Sequence, residues 1–385
     1  MTAAEFRDRL RAATEDQRFV FACASIFVQP PRRNALQVAT GLGDRLTAAL
    51  AGCVRLSLLE PVEGTDRFEL LPRARAVAED ALRERSDVEQ VTERAAEECL
   101  GFVDLADDLT RPDRVARGMA ALRGLAGDDT ATLAHLALAQ GRARLDLEWR
   151  SALRFANWAY ETGRWGMVPR FSQCLALYFE LRGMYAERLA IGQLALQAAR
   201  ESGNRTQEGI ELNNMANVYG TQGHHEQALQ LYEQSLAIKR DLADRQGEGQ
   251  TLNNMAAAYR QQGRHDEAME LYERALRTCR ELGDRHGEGQ ILHNMAIVHH
   301  ARGRDSQALE LFRQDLAICR QLGDRHGEGQ TLRNMGILAE KTGDLATARK
   351  RWEEALAALE GLGVPEEAQV REWLARLDEA EGGEG

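Results

Sequence analysis

A chain of 385 residues with 28% charged and only 6% aromatic side chains is long enough for two or more domains. Its formal net charge of −11 argues against general affinity for nucleic acid, which is driven by phosphate neutralisation. No apolar run approaches the length of a membrane span, the charged start MTAAEFRDRL is a poor secretion signal, and the six scattered cysteines fit a reducing cytoplasm, so a cytoplasmic protein is expected.

Residues 1–85 read as helices followed by a small hairpin. FRDRLRAA and DQRFVFACASIF form two helices, Pro30-Pro31 interrupts the chain, and NALQVAT forms a third. GDRLTAALAGCVRLSLLEP is a fourth helix running into a strand, Thr65-Asp66 turns, RFELLP returns as a second strand, and ARAVAEDALRER closes with a helix. That order predicts a winged-helix-like domain. The run LAGCVRLSLLEPVEGTDRFELLPRARAVAEDAL resembles the winged helix that succeeds the nucleotide-binding module of NB-ARC and other STAND signalling proteins. As a DNA reader its recognition-like segment offers only Arg45 and Arg55, and the whole segment sets thirteen arginines against twelve acidic residues. A protein-contacting wing is therefore expected, with DNA binding as the alternative.

Residues 86–127 read as a helical linker, SDVEQVTERAAEECLGFVDLAD and then RPDRVARGMAALRGL. Residues 128–162 read as a degenerate repeat made of a helix pair. Their segment LDLEWRSALRFANWAYETGRW resembles the opening of the repeat arrays in bacterial NB-ARC-type ATPases.

From residue 163 the chain repeats every 40 residues, in units 163–202, 203–242, 243–282, 283–322 and 323–362. A fixed period of this size predicts stacked helical hairpins, since one hairpin cannot cover its own apolar stripe. In the fourth unit Gly283 suits the end of one helix and Asp284 the cap of the next. A first helix is predicted over Arg285–Ala301, with Ile291, Leu292, Met295, Ala296 and Val298 at helical spacing, and a second comes after Gly303. Residues 363–385 supply a capping helix, with Val370, Trp373, Leu374 and Leu377 turned inward, and a frayed tail.

Small residues recur at Ala216, Ala256, Ala296 and Gly336, and at Ala228, Ala268, Ala308 and Ala348. Aromatics recur at Tyr219 and Tyr259, and at Tyr232, Tyr272, Phe312 and Trp352. This pattern resembles the tetratricopeptide repeat. The longer unit is similar to the 40-residue subclass with a Gly-Asp-Arg joint found in kinesin-light-chain-like and spindle-orientation adaptors. The resemblance implies an all-α chain, a right-handed tetratricopeptide solenoid behind the winged-helix-like domain, and a concave groove lined by the first helix of each unit.

Asn214, Asn254, Asn294 and Asn334 recur once per unit, preceded by Asn213, Asn253, His293 and Arg333. The resemblance places them in the groove, where an amide can donate to and accept from an extended peptide backbone at once. The competing reading is that they bond to neighbouring helices and only stabilise stacking. Arg260, His293, His300 and Arg333 would set a preference for acidic residues in the ligand. Arg205, Arg245, Arg285 and Arg325 open successive first helices, and here pairing with Glu248, Glu288 and Glu328 of the joints is the stronger reading.

The histidines lack metal-ligand spacing, and Cys279 and Cys319 read as buried small hydrophobes. The glycine cluster GDRHGEGQ has no lysine, and no Gly-x-x-x-x-Gly-Lys-Ser/Thr stretch occurs in the chain. No nucleophile motif or dinucleotide turn is present either. The expectation is a non-enzymatic adaptor or sensor without cofactor or metal, binding a peptide or protein in the groove. Its partner would be a separately encoded effector or ATPase. A peptide-responsive transcription regulator is the alternative, and self-association through the near-identical repeats is a third expectation.

Overall fold

The computed structural model describes residues 2–110, 130–360, 362 and 364–382. Among them the chain forms eighteen helices and one two-stranded antiparallel hairpin, in two compact units.

The first unit holds the described residues up to Thr110 together with 139–184. Its helices are α1 (Ala3–Ala12), α2 (Glu15–Ala24), α3 (Arg33–Thr40) and α4 (Arg45–Arg55), then β1 (Glu60–Pro61), β2 (Phe68–Glu69) and α5 (Pro72–Arg83). Thr2 and Thr14 start the first two helices with capping boxes, each closed by a Glu or Gln three residues on. The strands pair Glu60 with Glu69 and Pro61 with Phe68. The order of elements is the one expected for residues 1–85. Two later helices, α6 (Val88–Thr110) and α8 (Val168–Leu181), belong to the same unit, and α6 packs on both α3 and α8.

Between them, α7 (Thr130–Glu161) corrects one expectation, because residues 130–161 form one continuous helix where the sequence suggests a helix pair. Gly141 sits inside this helix where α6 crosses, and a Cβ there would lie 2.8 Å from the Ala106 carbonyl oxygen, so the glycine allows a close approach within a continuous helix. The segment 111–125, expected to be helical, lies outside the described residues.

The second unit is the repeat array. Its helices are α9 (Tyr185–Glu201), α10 (Arg205–Thr221), α11 (His225–Asp241), α12 (Arg245–Gln261), α13 (His265–Leu282), α14 (Arg285–Ala301), α15 (Asp305–Leu322), α16 (Arg325–Lys341), α17 (Leu345–Leu359) and α18 (Pro365–Gly382). The even-numbered helices α10 to α16 are the first helices of their hairpins, and each packs on its own second helix and on the second helix of the preceding hairpin. Asp244, Asp284 and Asp324 each accept a hydrogen bond from the amide three residues later at 2.9 Å, the capping role expected of Asp284. The core is built from the repeated small and aromatic positions: Ala256, Ala268, Tyr272, Ala296, Ala308 and Phe312 are all buried. α18 closes the stack with Val370 and Leu377 buried and Trp373 beside Trp352.

The Gly-Glu-Gly at 247–249, 287–289 and 327–329 has a packing explanation. A Cβ on Gly287 or Gly327 would lie 2.9 or 2.8 Å from the Cys279 or Cys319 sulfur on the preceding hairpin. A Cβ on Gly289 would lie 3.2 Å from Ile318, and one on Gly329 2.5 Å from Leu359, both within the same hairpin. One glycine thus seats the helix against the hairpin before it and the other against its own partner. The cost of two helical glycines, about 1 kcal/mol each, is offset by that close contact.

One joint breaks the pattern. Gly203, Gly283 and Gly323 hold the left-handed conformation between units, but the equivalent Ala243 holds it at φ 54°. A side chain there costs roughly 1–2 kcal/mol, part of which glycine returns through its freer unfolded chain. Ala243→Gly is expected to raise the stability of the array by about 0.5–1 kcal/mol in chemical denaturation. A lower midpoint would contradict the joint geometry.

Candidate protein-interaction site

The recurring Asn positions lie on one face of the first helices, all half-buried. They are joined sideways from hairpin to hairpin. Asn254 Nδ2 donates to Asn213 Oδ1 at 3.4 Å, Asn294 Nδ2 donates to Asn253 Oδ1 at 3.1 Å, and Asn334 Nδ2 donates to His293 Nε2 at 3.0 Å. The face is therefore a continuous polar strip in fixed register. Stacking accounts for part of the ladder, yet not for all of it. The Asn214 side chain forms no hydrogen bond among the described residues, and the Asn254 and Asn294 side-chain carbonyl oxygens accept none there.

The expected cations are mostly engaged by the chain itself. His300 Nδ1 lies 2.9 Å from Asp305 Oδ1, and Lys341 lies 3.1 Å from the other Asp305 oxygen. The His300 hydrogen bond, with help from Lys341 and against a burial cost, holds the Asp305 carboxyl below its ordinary value. Arg333 donates to Gln369 of α18 at 3.2 Å and to Asn334 at 3.4 Å. Arg260 stands beside Tyr272, and its buried Nε has no hydrogen-bond partner among the described residues. Of the joint arginines, Arg205, Arg245 and Arg285 pair with acids, while Arg325 bonds backbone carbonyls. Glu208 is held by Arg200 and Arg205, Glu288 by Arg280 and Arg285, and Glu248 by Arg240 at 2.9 Å. Arg245 bonds Glu281 at 2.7 Å, and Arg325 donates to the Ala357 carbonyl at 3.0 Å.

Beneath the strip lie polar residues that sequence reasoning does not select. Lys239 is buried and donates to Thr251 Oγ1 at 2.8 Å and to the Gly247 carbonyl at 3.1 Å. Burial lowers its pKa from the ordinary lysine value. Thr251 in turn bonds Asn213 at 3.3 Å. One unit pair further on, His293 Nδ1 lies 3.0 Å from Asp315 Oδ2 and 3.1 Å from Thr331 Oγ1, and Thr331 donates to Asp315 as well. The available signal is departure from the repeat: Asp315 replaces Ser235, Ala275 and Ala355, and Lys239 replaces Cys279, Cys319 and Leu359. A cavity of about 290 Å³ opens here, lined by His286, Gly289, Gln290, His293, Asn294 and Asp315, among others.

The tetratricopeptide repeat family model matches residues 171–241 and 248–321. The chain carries tetratricopeptide repeats. Its fold is similar to that of aspartyl phosphate phosphatase F from Bacillus subtilis, at 13% identity and a TM-score of 0.51, over 72% of this chain and 78% of that one. A signal transduction ATPase with numerous domains from Pyrococcus horikoshii, which has a tetratricopeptide repeat sensor, matches at 13% identity and a TM-score of 0.46. That match covers 93% of this chain but 52% of the ATPase, so this chain spans about half its length. NprR in complex with its cognate peptide NprX matches at 17% identity and a TM-score of 0.44, over 73% of this chain and 80% of that one. No curated protein sequence matches the chain. Among the described residues no helix is long and apolar enough to cross a membrane, and no group of His, Cys, Asp and Glu is arranged to hold a metal ion. All six cysteines are buried and free.

Proposed function

We propose that this chain is a non-enzymatic cytoplasmic adaptor or sensor whose tetratricopeptide groove holds an extended segment of a partner protein. The observation that carries this reading is the amide strip. Its rungs are pre-ordered by their neighbours, which lowers the entropy cost of binding, and Asn214 and the Asn254 and Asn294 carbonyls remain free to pair with a backbone. The partner is an effector or ATPase of a bacterial STAND-like signalling or defence system. The resemblance of residues 1–85 to a STAND winged helix supports that placement, and half-buried Arg260, in no ion pair among the described residues, would meet an acidic ligand residue. The DNA-binding alternative gains nothing from the hairpin, whose Arg67 is buried against Glu148 at 2.8 Å.

Asn214→Ala separates binding from stacking, because that side chain has no partner within the described chain. With peptides selected from a random dodecapeptide library, Asn214→Ala is expected to weaken binding roughly 5–10-fold, about the value of one hydrogen bond. The melting temperature should stay unchanged. Asn254→Ala is expected to lower both affinity and stability. Peptides that bind Asn214→Ala and Asn254→Ala as tightly as the parent would remove the strip from the binding surface.

A further inference from the structure

We infer that the cavity between the fourth and fifth repeats receives a basic side chain, lysine or arginine, from the bound segment, with Asp315 as its counter-ion. This role rests on the groove reading proposed for the chain and gives that groove one specificity pocket. Four observations lead there.

First, stacking does not require an acid at this position. Ala275 and Ala355 occupy it in neighbouring repeats, both fully buried. A carboxylate that is 3% exposed is costly unless compensated, so its presence needs another reason. Second, no lysine or arginine of the described residues is bonded to it: its partners are His293, whose Nδ1 faces Asp315 while its Nε2 faces the Asn334 amide, the Thr331 hydroxyl and the Cys319 thiol.

Third, the two carboxylate oxygens are unequally served. Oδ2 faces both His293 and Thr331, whereas among the described residues Oδ1 accepts only from Cys319 Sγ at 3.4 Å, a weak donor. Fourth, Gly289 and Asp315 both line the cavity, and Oδ1 lies 3.0 Å from where a Gly289 Cβ would stand, so no side chain at 289 separates that oxygen from the cavity. An ammonium or guanidinium reaching Oδ1 forms a charge-assisted bond in a low-dielectric setting, where such bonds are strongest. A volume of about 290 Å³ suits one long side chain rather than a larger ligand. His286, Gln290 and Asn294 at the walls are polar partners for its outer part.

The test screens the full chain against a positional-scanning library of unstructured dodecapeptides and compares Asp315→Asn and Gly289→Ala with the parent. Asp315→Asn keeps the shape and removes the charge. Gly289→Ala keeps the charge and sets a methyl group against Asp315 Oδ1, so a folding defect in one variant does not decide the outcome. Circular dichroism melts confirm that each variant is folded. The parent is expected to enrich Lys or Arg at one peptide position, and both variants to lose that enrichment, with basic peptides weakened roughly 30-fold or more by Asp315→Asn. Peptides that bind the groove without basic enrichment, or enrichment that survives Asp315→Asn, would overturn the inference while leaving the groove reading intact. Failure of every peptide to bind the parent would overturn the groove reading and this inference with it.

Discussion

Trp352→Ala is expected to destabilise the repeat array by about 3–5 kcal/mol, the cost of removing a large aromatic side chain from a packed core. Trp352 is fully buried, its Nε1 donates to the Arg333 carbonyl at 3.2 Å, and its ring stands 5.2 Å from that of Trp373. The ring fits because the facing residue has no side chain. A Cβ on Gly336 would lie 2.2 Å from Trp352 Nε1. The other repeats solve the same crossing with a smaller ring and a larger neighbour, such as Phe312 with Ala296.

Gly336→Ala alone is therefore expected to cost about 1–3 kcal/mol by overpacking, even after the roughly 1 kcal/mol that alanine gains in a helix. Trp352→Phe alone leaves a void. Joined, Gly336→Ala and Trp352→Phe recreate the pairing of the fourth repeat and should recover most of the loss, a coupling of at least about 1 kcal/mol. Hydrogen exchange over residues 325–360 reads the effect locally. If Gly336→Ala proves as stable as the parent, the tight crossing is wrong.

The compensation between residues 336 and 352 shows what the sequence exposes and what it hides. Both positions belong to the repeated small and aromatic sets, so their place in the core comes from periodicity alone. Helix ends are readable for the same reason, and the helix expected over Arg285–Ala301 is the helix observed. That the glycine and the tryptophan answer each other needs the distance between them. The Gly-Glu-Gly joints are similar: composition marks them as breaks, but only the crossing geometry shows that each glycine faces a different hairpin.

The Asn strip is legible in sequence as a register and not as a network. Its bonds join residues 41 apart, on hairpins whose facing surfaces no local pattern describes. For the same reason His293 reads from sequence as a groove cation, whereas in the fold Asp315, Thr331 and Asn334 surround it. Asp315 itself stands out as an acid where the other copies hold Ser or Ala. A period gives each position an expected residue, and a charged departure at a buried position is where function departs from packing. Outside the strong repeat the pattern is less informative: residues 130–161, expected as a helix pair, form one helix with Gly141 inside it.

Glu148→Leu is expected to destabilise the first unit by about 3–5 kcal/mol, and Glu148→Leu joined with Arg67→Met by much less. Glu148 accepts from Arg67 at 2.8 Å and lies 3.7 Å from Arg32, with all three side chains at most 15% exposed. Arg32 also bonds Glu98 at 2.6 Å and stacks on Phe102, so the cluster ties the hairpin to α6 and α7. Burial pushes the Glu148 carboxyl above its ordinary value despite both arginines, so taking this acid out of water costs more than the ion pairs return. An ion pair of that kind adds little over apolar residues of similar size, yet removing one member strands the other. Among the described residues the Arg67 side chain would keep only its bond to the Pro30 carbonyl at 2.8 Å, with its charge nearly sealed from water. Denaturation of the two variants side by side, together with hydrogen exchange in residues 60–69, decides the matter. Equal losses from the single and double changes would mean that the acid contributes stabilising contacts of its own. Near-recovery in the double variant would mean that the cluster fixes where the hairpin sits rather than how stable the unit is.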